Sequence, residues 1–265
     1  ALSWSSDSFD TAVTSSYAVG YLLLFLLLLL MVVRDEHLSG ITLTLPGRQT
    51  AREIGEAIGY PLAGFASTQI ARLTERSIAS IVAVGGIASY YFAFRIVSGL
   101  QSLVGVSIAI VGLPTITRHE LQGKRDRFAR AMVRRGAYAV GMSLVLVAAI
   151  LAFNHQIVDV LYGRGSFNQA SVNVTASILG FFALGVPFST LLPVLNAGLY
   201  ARKQYAKVLV EMLVTAVADV GLAYWLSQIL GLRGIALAFS LAALLGATVA
   251  IWLLRPVSLS RDRSG

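Results

Sequence analysis

RLTERSIASIVAVGGIASYYFAFRIVSGLQSLVGVSIAIVGLPTITRH, residues 72–119, reads as two apolar helices joined at Gly85-Gly86, with Arg72, Glu75, Arg76 and Arg95 set inside them. Charge in such a setting needs a reason. An ionisable side chain near the middle of a bilayer costs about 2.5–3.5 kcal/mol on insertion scales, so by default it faces a protein interior or a wet cavity. If the helices form an antiparallel hairpin, Arg76 and Arg95 each lie nine or ten residues from the turn. At ~1.5 Å per residue both are ~14 Å below one face, near the midplane of a ~30 Å hydrocarbon core. Arg72, Glu75 and Arg76 fall at i, i+3 and i+4, so the three are expected on one face with Glu75 paired to either Arg. One carboxylate against three cations leaves a positive surplus suited to a multivalent anion. The expectation is a transport path lined by these groups.

The rest of the chain supports a membrane setting. Of its 265 residues 56% are hydrophobic and 13% charged, against about 25% charged in soluble domains, and the mean hydropathy is +0.74. There is no cysteine, which removes disulfides and thiolate chemistry. Seven apolar segments reach or approach the ~20 residues that a bilayer requires, at about 11–33, 58–83, 87–116, 136–157, 172–198, 207–230 and 234–254. The expected fold is all-α and polytopic: an outer end, one helix and a linker in 1–57, a six-helix unit in 58–255, and a tail in 256–265.

The basic residues predict the orientation. Connectors 34–56, 117–135 and 201–207 and the tail 255–263 hold three, seven, three and three Lys or Arg, sixteen of the chain's 21. The opposite face has Arg164 and Arg233, and the other three lie within the spans. That asymmetry places the rich face in the cytoplasm, the N-terminal end outside and the C-terminal end inside. It also accounts for the net charge of +8 without nucleic acid.

Along the chain, the first span lacks the basic flank and cleavage site of a signal peptide and reads as a lipid-facing helix. An opening in mid-loop suggests a piece of a longer protein. RQTAREIGEAI, residues 48–58, predicts a short interfacial helix before Pro61. Leu113-Pro114 predicts a kink or stop. The basic run from Arg118 to Arg135 either attracts anionic headgroups or serves orientation alone. Ser166 or Asn168 is expected to cap the helix that follows the Gly163/Gly165 turn, a GxG with no strand before it and hence no nucleotide loop. His155 and Asp159 sit at i, i+4, but two ligands are too few for a metal centre. Pro187 and Pro193 predict a bend in the fifth span, as a hinge or as plain structure. Glu211 is placed near the cytoplasmic end, in reach of water or of Lys207, and Asp219 lies deeper, near the level of Glu75 and Arg76. Asp219 is either ion-paired or structurally hydrogen-bonded, or engaged in sodium or proton coupling. Small residues in the last span allow close packing, and Trp252 marks its inner interface.

Several segments, in order, resemble the MurJ (MviN) family of lipid II flippases, within the multidrug, oligosaccharidyl-lipid and polysaccharide exporter superfamily. They are Glu75-Arg76 with Ala79-Ser80, Ala93-Phe94-Arg95, Leu113-Pro114 with Thr117, and Leu161-Tyr162-Gly163-Arg164-Gly165-Ser166-Phe167. Tyr200-Ala201-Arg202 and Gly231-Leu232-Arg233-Gly234-Ile235-Ala236-Leu237-Ala238 complete the set, which covers roughly residues 58–255. The resemblance implies an alternating-access carrier of two six-helix lobes around a cationic cavity, with this chain as the sixth helix plus the second lobe, and a first lobe as its missing partner. It implies a bacterial inner-membrane protein of peptidoglycan synthesis, no catalytic residues, no cofactor or metal, and lipid II and membrane lipids as partners. Arg95, Arg76 and Arg72 are then expected at the substrate pyrophosphate, and Glu75 and Asp219 at a coupling ion, Na+ or H+. Phe94 stands where the family often has Asp, and a Pro expected soon after Arg202 is missing. Rival readings are an exporter of another lipid-linked polysaccharide, a noncatalytic membrane scaffold, and a cation-coupled drug exporter, which would favour acidic over basic cavity residues.

Overall fold

The structure, a computed structural model, describes residues 15–16, 19–27, 29–31, 47–163 and 167–255. The chain divides into two compact units, Ala1–Ala51 and Arg52–Gly265. Within the first, residues 19–27 and 29–31 of the expected first span are helical, and their apolar side chains are exposed. The outer end 1–10, connector residues 34–46, Arg164, Gly165, Ser166 and the tail 256–265 lie outside the described residues.

From Arg48 to Leu254 the described chain is helical apart from short connections. The helices are α1 (Arg48–Val82), α2 (Gly86–Gln101), a five-residue π-helix (Ser102–Val106), α3 (Ser107–Leu121), α4 (Arg125–Tyr162), α5 (Gln169–Ala183), α6 (Val186–Ala201), α7 (Tyr205–Leu230) and α8 (Leu232–Leu254). Gly86–Leu121, Arg125–Tyr162 and Leu232–Leu254 are each long and apolar enough to cross a bilayer, and α5 with α6 makes a fourth if the bent pair is one span. The other two long helices, α1 and α7, carry the interior charges. Thus the six expected spans after the first each coincide with a helix or a broken helix.

The hairpin at Gly85-Gly86 forms as its sequence predicts. Gly85 has φ 73°, a left-handed conformation that glycine adopts without a Cβ penalty, and α2 starts at the next residue. Three other expectations need correction. The stretch 48–58 is no separate interfacial helix but the first turns of α1, which runs through Pro61. Of the kink or stop expected at Pro114, the stop does not occur, since α3 continues to Leu121. A proline removes one hydrogen bond, and a packed spanning helix tolerates that loss. The third correction concerns the basic segment 117–135, which is not an open connector: only 122–124 interrupt its helices.

The fifth span does break. α5 and α6 meet at 47°, and Pro187 sits in the first turn of α6. At the break, a Cβ on Gly185 would stand 2.7 Å from the Cα of Ser240 on α8. The bend thus lies where backbone touches backbone. Just before the π-helix, the last residue of α2 ties to α6 as Gln101 Nε2 donates to the Ser189 carbonyl at 3.2 Å. Asn168 caps α5, its Oδ1 accepting from Ser171 N at 2.9 Å. α7 packs along α8, α6 against α3, α4 and α8, and α5 against α2, α4 and α8. The core is aliphatic around four rings: Tyr90, Phe94, Phe182 and Phe239, with neighbouring centroids 5.3–6.1 Å apart. Close contact with α8 uses its small residues, among them Ala236, Ala243, Gly246 and Ala250, all buried.

Candidate functional site

Arg72 is the centre of the interior charge. Its Nη1 donates to Glu75 Oε2 at 2.6 Å and lies 3.2 Å from Asp219 Oδ2, so one guanidinium bridges α1 and α7. Tyr90, fully buried on α2, donates its hydroxyl to the same Glu75 oxygen at 2.6 Å. The plane of the guanidinium is held by aromatic faces: its carbon is 4.8 Å from the Phe94 centroid and 5.0 Å from that of Phe239. Phe94, the residue that departs from the family pattern, is therefore a stacking partner for Arg72. Glu75 and Asp219 are buried at 0% and 2% exposure. Each keeps one buried oxygen, Glu75 Oε1 and Asp219 Oδ1, with no hydrogen-bond partner. Two carboxylates and one guanidinium carry a net negative charge when all are ionised.

Arg72 and Asp219 border a cavity of about 440 Å³ that reaches down α7 past Thr215 to Glu211. Glu211 is 2% exposed; its carboxylate accepts from Asn196 Nδ2 at 3.0 Å and from Thr215 Oγ1 at 2.9 Å. The expected approach to Lys207 does not occur, because Lys207 Nζ reaches the Leu253 carbonyl instead, at 3.3 Å. Glu211, Thr215 and Asp219 repeat every four residues and so share one stripe of α7. The cavity's walls are otherwise apolar, with Ile110, Leu113, Leu192 and Phe239 among them.

Arg76 and Arg95 lie elsewhere. Arg76 is half-buried with its guanidinium carbon 5.4 Å from the Tyr91 centroid, and its Nε is buried without a partner. Arg95 is exposed, not buried as its place in an apolar helix suggests. Tyr91 links the two: it lies under Arg76 and is the residue four before Arg95, on the same face of α2. Arg95 is within electrostatic range of Tyr162 at the end of α4. Phe92 anchors this face on Tyr162 and Phe167, with centroids at 4.5 and 5.4 Å. The expected single cluster of three cations is thus two sites. Successive residues of a helix point ~100° apart, so Glu75 and Arg76 flank Arg72 on opposite sides, Glu75 turned with it toward Tyr90 and Asp219 and Arg76 turned toward Tyr91. His155 and Asp159 do not converge with a third ligand; Asp159 Oδ1 accepts from Gln169 Nε2 at 3.4 Å. Among the described residues no group of three potential metal ligands occurs.

Comparison with known proteins gives the family. Residues 4–262 match the family described as "Lipid II flippase MurJ". The chain belongs to that family. A probable lipid II flippase MurJ of Rhizobium tropici is 32% identical over 180 residues, covering 68% of this chain and 34% of that protein. One from Helicobacter pylori strain J99 is 26% identical over 182 residues, with 68% and 39% covered. The chain therefore spans about a third of the length of the curated relatives it matches. Among solved structures it is similar in fold to lipid II flippase MurJ in an inward closed conformation, with TM-score 0.66, 19% identity, and 72% of this chain and 40% of that one covered. It is also similar to an inward-facing multidrug resistance MATE transporter of the MOP superfamily, with TM-score 0.69, 21% identity, and 80% and 48% covered. The all-α, multi-spanning exporter fold expected from the sequence is the fold observed.

Two residues that carry the interior site were not singled out in the sequence. Tyr90 and Asn196 are uncharged, and each gains its role only by facing a carboxylate on another helix. Their signal was position alone: a polar atom within an apolar run.

Proposed function

We propose that the protein to which this chain contributes moves a polyisoprenoid-pyrophosphate-linked peptidoglycan precursor, lipid II, across the bacterial inner membrane by alternating access. The supporting observation is the division of charge. Arg72 is ion-paired inside the lobe, whereas Arg95 is open at the surface and the half-buried Arg76 lies over Tyr91, four residues before Arg95 on the same helix. Surface guanidiniums on a spanning hairpin suit a pyrophosphate, which takes bidentate donors from Arg. They would meet it in the space between this lobe and a first lobe. In this reading Arg72 positions the two carboxylates and leaves the pyrophosphate to the other two Arg.

Glu75 and Asp219 serve ion coupling. Their excess negative charge over Arg72 and their two unpartnered oxygens are fit to take up one exchangeable cation, H+ or Na+, and ligand binding shifts a two-state carrier only by favouring one state. A proton or sodium gradient, or the membrane potential at ~2.3 kcal/mol per charge per 100 mV, would then supply the work. The N-terminal end of the chain lies outside and the C-terminal end in the cytoplasm, following the basic residues.

The test is translocation by the full-length protein in proteoliposomes, with lipid II, another polyprenyl-pyrophosphate-linked oligosaccharide and phosphatidylglycerol as separate cargoes. Transfer of lipid II alone supports the reading. Preferred transfer of the other oligosaccharide replaces it with a polysaccharide exporter, and transfer of neither leaves a scaffold.

A further inference from the structure

The turn between α3 and α4 borders a second pocket, an open hollow of about 460 Å³ on the basic segment. Pro114, Thr115, Arg118 and His119 form one wall, and Lys124 and Arg127 the other. Arg118 follows Pro114 and Thr115 by four and three residues, so all three share a face of α3. The chain then reverses over 122–124 and brings Lys124 and Arg127 round to the same hollow.

Its cations are uncompensated. Among the described residues, no ion pair involves Arg118, Lys124 or Arg127. Lys124 spends one donor on Gln122 Oε1 at 2.8 Å. Glu120, the adjacent acid, is turned away to Arg202 at 3.5 Å. Inside the pocket His119 offers a buried Nδ1 that has no hydrogen-bond partner. Arg202 shows the contrast, since it packs 4.4 Å over Phe128 and donates to the Leu254 carbonyl at 2.7 Å, a basic residue used to hold helices together.

An orientation signal needs basic residues on one face but no convergence of them. Three unpaired cations around a hollow of this size form a site for a multiply hydrogen-bonding anion. Its place along the chain points to the source. The apolar run of the Gly86–Leu121 helix ends at Ile116, two residues before Arg118, and basic side chains just past a spanning segment are drawn to the negative potential of anionic headgroups. We propose that this pocket binds the headgroup phosphate of an anionic phospholipid in the leaflet that it faces. The site is separate from the Arg76–Arg95 surface and does not depend on which cargo the carrier moves.

The experiment measures binding of short-chain phosphatidylglycerol, phosphatidylcholine and inorganic phosphate to the purified full-length protein by native mass spectrometry, with Tm in lipid-free detergent as the folding control. Arg118→Gln with Arg127→Gln is expected to weaken phosphatidylglycerol binding by about 25-fold, taking about fivefold per basic residue, at unchanged Tm. Arg130→Gln with Arg134→Gln removes the same charge from exposed positions outside the pocket and is expected to change it by less than about threefold. If the pocket pair lowers Tm, Lys124→Gln in the turn replaces it, with a fivefold loss expected. Equal losses in the pocket and control variants overturn the proposal in favour of diffuse charge. Displacement of the lipid by equimolar inorganic phosphate overturns it in favour of a free-anion site.

Discussion

Arg72 on α1 and Asp219 on α7 lie 3.2 Å apart inside the lobe, and Glu75 shares the same guanidinium nitrogen. The pair joins two helices through buried charges, so the ends of the ion pair depend on each other. Removing one partner of a buried pair costs about 3–5 kcal/mol, because the remaining charge is stranded.

Arg72→Met is therefore expected to destabilise the protein by that amount, read as a fall in Tm of the purified protein. Adding Glu75→Gln and Asp219→Asn should recover most of the loss, since no unpaired charge then remains. A triple variant as unstable as Arg72→Met would show that packing of the guanidinium on Phe94 and Phe239, and not its charge, dominates.

Tyr90→Phe removes one hydroxyl that bonds a buried carboxylate at 2.6 Å. A loss of about 1.5–3 kcal/mol is expected, the range for hydrogen bonds to charged groups. In a Glu75→Gln background the same change should cost under about 1 kcal/mol, and the double-mutant cycle isolates the coupling. Identical losses in both backgrounds would contradict the assignment.

The bend in the fifth span makes a packing prediction. Gly185→Ala sets a methyl 2.7 Å from the Cα of Ser240, where neither backbone can rotate away, and should cost about 1–3 kcal/mol by overpacking. Gly221→Ala, where nothing lies within 4 Å, should be neutral or stabilise by up to ~1 kcal/mol through helix propensity. Thermal unfolding of the two variants side by side checks both.

Much of this architecture is legible in the residues themselves. Apolar runs announce the spans, and Gly85-Gly86 announces the hairpin because only glycine takes φ 73° freely. Spacing also gives depth: at a fixed rise per residue, Asp219 had to lie near the level of Glu75. Azimuth is what the residues leave open. Arg76 and Arg95 share a depth, yet which side of each helix meets a neighbour depends on the packing of all six, and Arg95 ends at the surface. The prolines misled for a related reason. Pro61 reads locally as a helix boundary and Pro114 as a kink or stop, but each stays inside a helix.

The exposed position of Arg95 gives the sharpest test of the whole account. Arg95→Ala touches no buried group, so its effect on stability should stay within about 0.5 kcal/mol, while lipid II translocation by the full-length protein in proteoliposomes should fall at least tenfold. Translocation at the unmodified rate, with the protein folded, would contradict the claim that the surface cations receive the pyrophosphate.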